Sequence, residues 1–120
     1  MTIYHIAYPA DWTQAKADGE YRTSTRGRTL EQQGFIHAGQ AHQVAPVANM
    51  VYSDDDELIV LVIDPGLLTS ELRYDDVPGW SDLFPHIYGP LNLDAVTETL
   101  PLSKGSDGQF SFDPGSAAHP

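Results

Sequence analysis

Histidine is the side chain whose unperturbed pKa lies in the physiological window, so its placement is the first chemical question this chain poses. There are five. His42 and His119 fall in polar surroundings, one at a helix start and one in a terminal stretch rich in Gly, Ser and Pro, and receive no role. His5, His37 and His86 each sit inside an apolar, strand-like segment: Ile3-Tyr4-His5-Ile6-Ala7, Gly34-Phe35-Ile36-His37 and Phe84-Pro85-His86-Ile87-Tyr88. A histidine in such a setting must find a hydrogen-bond partner or face a cavity. One alone reads as a satisfied core side chain. Three in separate short segments point equally to one shared pocket, in which a neutral imidazole takes a proton and a protonated one gives it.

The segment around His86 is the most constrained. Pro85 and Pro90 fix φ and hold Phe84 and Gly89 extended, so His86 and Tyr88 share a side of a stiff strand. Its plain alternative is a β-corner with ordinary aromatic packing. Arg22, Arg26 and Arg28 gather half of the chain's six Lys and Arg into seven positions, with Thr23, Ser24, Thr25 and Gly27 between them. Guanidinium forks and hydroxyls suit capture of phosphate or carboxylate. A solvated loop that offsets nearby acids accounts for them as well. Candidate ligand contacts are therefore Arg22, Ser24, Arg26 and Arg28, with Tyr4 and Tyr88 beside the histidines. Asp54-Asp55-Asp56-Glu57 lacks the spacing of a calcium loop and reads as a solvated turn. No Walker, Rossmann or Gly-x-Ser-x-Gly pattern occurs.

These residues must be mounted on something. Thr2 to Tyr8 alternates as a strand, with Ile3, His5 and Ala7 on one face and Tyr4, Ile6 and Tyr8 on the other. Pro9 ends it. Asp11 can cap a short helix that stops at Gly19, and Glu20 to Arg28 reads mostly as loop. Thr29 to Gln33 suits one helical turn before the strand at Gly34 to His37. Ala41, Val44, Ala48 and Val51 recur at helical spacing to Tyr52, with Pro46 either delaying the start to Gln43 or bending the helix. Leu58 to Ile63 is continuously apolar, as a strand covered on both faces requires. Glu71 to Tyr74 suits an edge strand and Asp75 to Asp82 a loop. Phe84 to Tyr88 and Leu91 to Leu100 read as strands parted by Gly89-Pro90. These elements predict one α+β domain over residues 1–102, a compact split antiparallel β core with two or three short helices. A flexible polar tail is expected over 103–120.

Length and composition bound the partners. A chain of 120 residues, 41 % hydrophobic, is one domain with one real core. The absence of cysteine excludes disulfides and thiolate chemistry. The longest apolar run is strand-sized, and no basic stretch leads into an apolar one near the start, so a cytoplasmic protein without membrane association is expected. Seventeen acids against six bases give a net charge of −11, which repels polyanions and argues against general DNA binding. A small phosphate-bearing ligand remains compatible, because the arginines are locally gathered.

The same segments carry a resemblance. Ile3-Tyr4-His5-Ile6-Ala7, Trp12, Gly19-Glu20-Tyr21, Gly34-Phe35-Ile36-His37, Gln43-Val44, Val47-Ala48-Asn49, Phe84-Pro85-His86-Ile87-Tyr88-Gly89-Pro90-Leu91 and Asp94-Ala95-Val96 together resemble the bacterial family known as domain of unknown function 952. That family is similar to the ADP-ribosyltransferase superfamily, which has a split β core and a cleft for NAD. The resemblance implies NAD as a cofactor or substrate. It implies that His5 would contact a ribose hydroxyl and that a second motif would fall at Phe35 to His37. The late catalytic glutamate of that superfamily would fall near His86, where an imidazole stands instead. RNA 2′-phosphotransferases of the superfamily lack that glutamate and use histidines and arginines on a phosphate, a variant that the Arg22 to Arg28 stretch suits. Ala38-Gly39 stands where the family often has Cys-Ser, and Thr25 to Arg28 is longer than usual.

Four functions follow as expectations. One is a transferase of ADP-ribosyl or phosphoryl groups acting on NAD or a nucleotide-type ligand, with His5, His37 and His86 as its catalytic residues. The second is a two-histidine acid–base phosphodiesterase. The third is a non-catalytic module for a nucleotide or small anion. A tri-histidine metal site ranks last, since the three lie on separate strands. The residues leave the oligomeric state open.

Overall fold

The structure, a computed structural model, describes residues 2–113. Strand β1 (Ile3–Ala7) runs into helix α1 (Pro9–Asp18). Pro9 does more than end the strand: it takes the first helical turn, where its missing N–H costs nothing, and Tyr8 rather than Asp11 is the N-cap. Gly19 closes α1 in the left-handed conformation at φ 89°, as expected of a helix-stop glycine.

The stretch expected as loop is instead three short strands: β2 (Glu20–Tyr21), β3 (Thr23–Thr25) and β4 (Arg28–Thr29). Ladders of two or three residues leave no periodicity to read. Strands β3 and β4 form a hairpin whose tip is Arg26-Gly27. Thr29 then caps α2 (Leu30–Gln33) through a reciprocal capping box with Gln32. Strand β5 (Ile36–His37) follows, then α3 (Ala41–Val51). Helix α3 continues through Pro46. Both Pro46 and His42, whose carbonyl loses its ladder donor, are exposed, so water can take the bond.

Strand β6 (Glu57–Ile63) lies between β1 and a long last strand, β10 (Val96–Ser103), all antiparallel. A second antiparallel sheet has the order β5, β8 (Phe84–Tyr88), β7 (Glu71–Asp75). Strand β9 (Leu91–Asn92) pairs with β2, and a 3-10 turn at Leu93–Ala95 separates it from β10. The segment read as one strand from Leu91 to Leu100 is thus two. The sheets meet where Tyr4 and Gly39 exchange backbone hydrogen bonds of 2.8 and 2.7 Å.

The alternation read in β1 places its side chains as expected. Ile3 and Ala7 join Leu61, Ile63, Ile36 and Ile87 in the core between the sheets. Tyr4, Ile6 and Tyr8 turn to the opposite face, where Val60 and Val62 pack under Val44 and Ala48 of α3. Strand β6 is therefore covered on both sides.

The expected tail departs from its reading over 103–113. Gly105 N–H bonds the Gln109 carbonyl, and Phe110 is buried against α3. Asn49 accepts from Phe110 N–H at 2.8 Å and donates to its carbonyl at 3.1 Å. Two aromatics, Phe110 and Phe112, supply the burial that the polar composition concealed. The expectation for 114–120, His119 included, lies outside the described residues. No helix among the described residues is long and apolar enough to cross a membrane.

Candidate functional site

Strands β5, β8 and β7 have one face in the core and one face that carries the chemistry. Register pairs His37 with His86 and Arg73 with His86, and pairs Asp75 with Phe84. The alternate positions Ile36, Ile87 and Leu72 point into the core. The period of two thus collects Phe35, His37, His86, Tyr88 and Asp75 on one side.

On that side the rings interlock. His37 and His86 lie edge to face with centroids 5.0 Å apart. Phe35 stacks on His86 at 4.1 Å and 18°. His86 Nδ1 donates to Asp75 Oδ2 at 2.8 Å, and the Tyr88 hydroxyl donates to the same oxygen. These two bonds hold the Asp75 carboxyl below its ordinary pKa, the tyrosine contribution being the larger, and raise the Tyr88 phenol in turn. Asp75 thereby fixes the proton of His86 on Nδ1. His86 is 2 % exposed, and its Nε2 is buried without a hydrogen-bond partner among the described residues.

His5 belongs to this cluster but is differently used. Its Nδ1–H donates to the His37 carbonyl, and its Nε2 accepts from the Tyr21 hydroxyl at 2.8 Å. Both ring nitrogens are consumed and the ring is 2 % exposed. Burial pushes its pKa down to about 4 against the opposing hydrogen bond. The ribose contact implied for His5 has no nitrogen left to make it. His5 braces the backbone of His37.

His37 is the member that opens outward. Its ring nitrogens make no hydrogen bond among the described residues, and it lines a cleft of about 570 Å³. Partial burial, then the charges of His86, His5 and Arg28, hold its pKa down to about 4, so it is a neutral base at pH 7. The cleft lies between α3, the β3–β4 hairpin and the 77–84 segment.

The expected ligand contacts divide. Tyr4, Ser24, Arg26 and Arg28 line the cleft with His37. Ser24 is buried and its hydroxyl donates to the Phe35 carbonyl, a brace between hairpin and strand. Arg26 donates to the Val51 carbonyl at 3.0 Å and lies 3.6 and 3.8 Å from Asp54 and Asp55. Arg28 lines the cleft and makes no ion pair among the described residues. Arg22 is elsewhere: Glu20 and Glu31 neutralise it beside a small acidic depression. Tyr88 and His86 sit behind His37 and do not line the cleft. No group of three or more His, Cys, Asp or Glu among the described residues is arranged to hold a metal ion.

The sequence reading missed Asp75, Tyr21, Gln43, Trp80 and Phe84. Gln43 is buried; its Oε1 accepts from Gln40 N–H at 2.8 Å and its Nε2 donates to the Leu83 carbonyl at 3.0 Å, tying α3 to the loop before β8. The partner of His86 was signalled only weakly, as the first acid of the expected loop after the edge strand, eleven residues earlier. Ala38 and Gly39 line the cleft without a hydroxyl, where the resembling family often has Cys-Ser.

A single antiparallel α+β domain with this motif order defines a family, and the chain belongs to it: the proteins of unknown function designated DUF952, whose profile matches residues 6–99. Among solved structures it is similar to the crystal structure of protein CC0527 from Caulobacter crescentus. That match has 29 % identity and a TM-score of 0.79, and covers 92 % of this chain and 94 % of that one. The solution NMR structure of the same protein matches at 30 % identity and a TM-score of 0.74, over 90 % of both chains. No curated protein matches the chain.

Proposed function

We propose that the cleft binds a small phosphate-bearing ligand of nucleotide type, with NAD or an ADP-ribosyl compound as first choice, and that His37 performs acid–base chemistry on it. One observation carries this reading: an open, neutral imidazole beside Arg28, which has no ion pair among the described residues, backed by the part-buried Asp75–His86 pair. A neutral His37 can take the proton of an attacking water or hydroxyl and return it to the leaving oxygen. Arg28 would hold the phosphate by charge-assisted hydrogen bonds.

The split antiparallel core supports kinship with the ADP-ribosyltransferase-like fold. The carboxylate needed for ADP-ribosyl transfer has no candidate lining the cleft: Asp75, the acid at the expected place, is held by His86 and Tyr88 behind His37, and Glu71 is exposed and pairs with Arg73 at 2.6 Å. Phosphoryl or phosphodiester chemistry with His37 as the acid–base group therefore fits better than ribosyl transfer. A non-catalytic binding module is the second reading, favoured by His86, which stacks on Phe35 and does not line the cleft.

Titration calorimetry with NAD, ADP-ribose and AMP tests the reading. Binding is expected to weaken as salt rises, because Arg28 is exposed and screened. Arg28→Gln should weaken binding severalfold while Arg22→Gln leaves it unchanged. No heat and no thermal shift with millimolar amounts of all three would contradict it. Binding with no turnover in the presence of acceptors would select the module.

A further inference from the structure

The cleft has a second character that its polar end does not explain. Besides Arg28 and His37, its lining is apolar and aromatic: Val47 and Met50 of α3, and Val77, Trp80 and Phe84. Met50 is 67 % exposed, more apolar surface at a rim than folding requires. The far side of this wall is built by a turn. Val77-Pro78-Gly79-Trp80 closes with Trp80 N–H on the Val77 carbonyl at 3.1 Å, with Pro78 second and Gly79 third at φ 90°, as a type II turn requires. The turn brings Val77 and Trp80 to the same cleft. Trp80 is steadied edge-on by Phe84 at 5.3 Å. Three tethers hold the loop to the start of α3: Gln40 and Gln43 both donate to the Leu83 carbonyl, and His42 Nε2 lies 2.6 Å from Asp82. An indole held in place at the mouth of a cleft is a preformed platform for a flat ring.

We infer that the Val77–Trp80 turn and the Val47–Met50 face of α3 form a subsite for the planar heterocycle of the ligand, so that the cleft takes a base-bearing phosphate ester rather than a sugar phosphate or an inorganic anion. The inference rests on the phosphate reading above and narrows it. A cationic floor with an aromatic wall matches a molecule that is anionic at one end and flat and apolar at the other. The stack is sequence-tolerant in the sense that every base has a π-face, so it selects the class and not the base. A bare phosphate would leave the wall wet and unused.

The test uses Trp80 itself. Trp12, packed near Tyr21 in the core, is replaced in a Trp12→Phe background so that Trp80 is the one remaining indole. Ribose 5-phosphate, AMP and adenosine are titrated while fluorescence and calorimetric heat are followed. AMP is expected to bind at least roughly tenfold more tightly than ribose 5-phosphate, the scale of one base–aromatic stack, and to quench Trp80. In calorimetry, Trp80→Ala should bring AMP down to the affinity of ribose 5-phosphate and leave the latter unchanged. Arg28→Gln should weaken both phosphates alike. Octyl phosphate, which is apolar but not flat, should bind no better than ribose 5-phosphate. Equal affinities for AMP and ribose 5-phosphate, or a Trp80→Ala loss shared by both, overturn the subsite while leaving the phosphate reading standing. Adenosine binding as tightly as AMP, with quenching, upholds the subsite and overturns the phosphate reading. Silence from AMP and adenosine together overturns the subsite. Circular dichroism of Trp80→Ala, on an exposed loop, checks that the fold is kept.

Discussion

At the scale of single residues, three histidines in one cluster have three different fates because their nitrogens have different partners. Among the described residues, His5 spends both on the protein, His86 spends one on Asp75, and His37 spends neither. The consequence for stability has a definite sign. The folded chain holds His5 neutral down to about pH 4, whereas the unfolded chain protonates it near 6.5, so stability is full above about pH 6.5 and lost as pH falls toward 4. A shift of this size corresponds to about 3 kcal/mol. His37 contributes in the same direction, discounted because it opens on the cleft. Urea melts at intervals between pH 7 and 4.5 should show the decline. His5→Asn, whose amide can still donate to the His37 carbonyl, should flatten it; an unchanged slope in that variant would remove His5 from the account. Such distinctions were only half legible beforehand. The apolar setting of His5, His37 and His86 announced a cluster, but tautomers and partners depend on Tyr21 and Asp75, which come from other elements.

At the scale of elements, legibility followed periodicity. β6, with its unbroken run from Leu58 to Ile63, and β1, with its strict alternation, were readable because burial on two faces or one leaves a pattern. The short strands β2, β3 and β4 were not, since two or three residues carry no period, and the pairing of β2 is decided by the distant Leu91 and Asn92. The wall of the cleft was hidden for another reason: Val77-Pro78-Gly79-Trp80 announces a turn, but not which neighbour the turn faces. Val60 and Leu61 are fully buried on opposite faces of β6. Truncating either to alanine should cost roughly 2–4 kcal/mol in denaturant melts, through the cavity left behind. Losses under about 0.5 kcal/mol for both would make the strand peripheral.

At the scale of the molecule, the acidic surface and the cationic hairpin divide the labour. A net charge of −11 discourages polyanions, while we assign the small anion to Arg28 in the cleft. The docked segment through Phe112 joins this architecture, because it packs behind α3, the cleft's wall, and against Tyr4, whose ring meets Phe112 edge-on at 5.3 Å. Phe110→Ala should lower stability by about 3 kcal/mol. It should also loosen α3 enough to raise amide exchange at Val44 and Ala48, whereas a loss confined to 104–113 would show the segment to be a passenger.

The most direct measurement of the central claim is a pH titration of the imidazole signals of His37 by NMR, with and without AMP. Without ligand, His37 should titrate near pH 4, well below an ordinary histidine. An anion bound against it stabilises the imidazolium, so with AMP its signals should move and its pKa should rise, while His5, enclosed and fully bonded, stays where it was. A His37 whose shifts and pKa are the same with saturating AMP as without it would contradict the site.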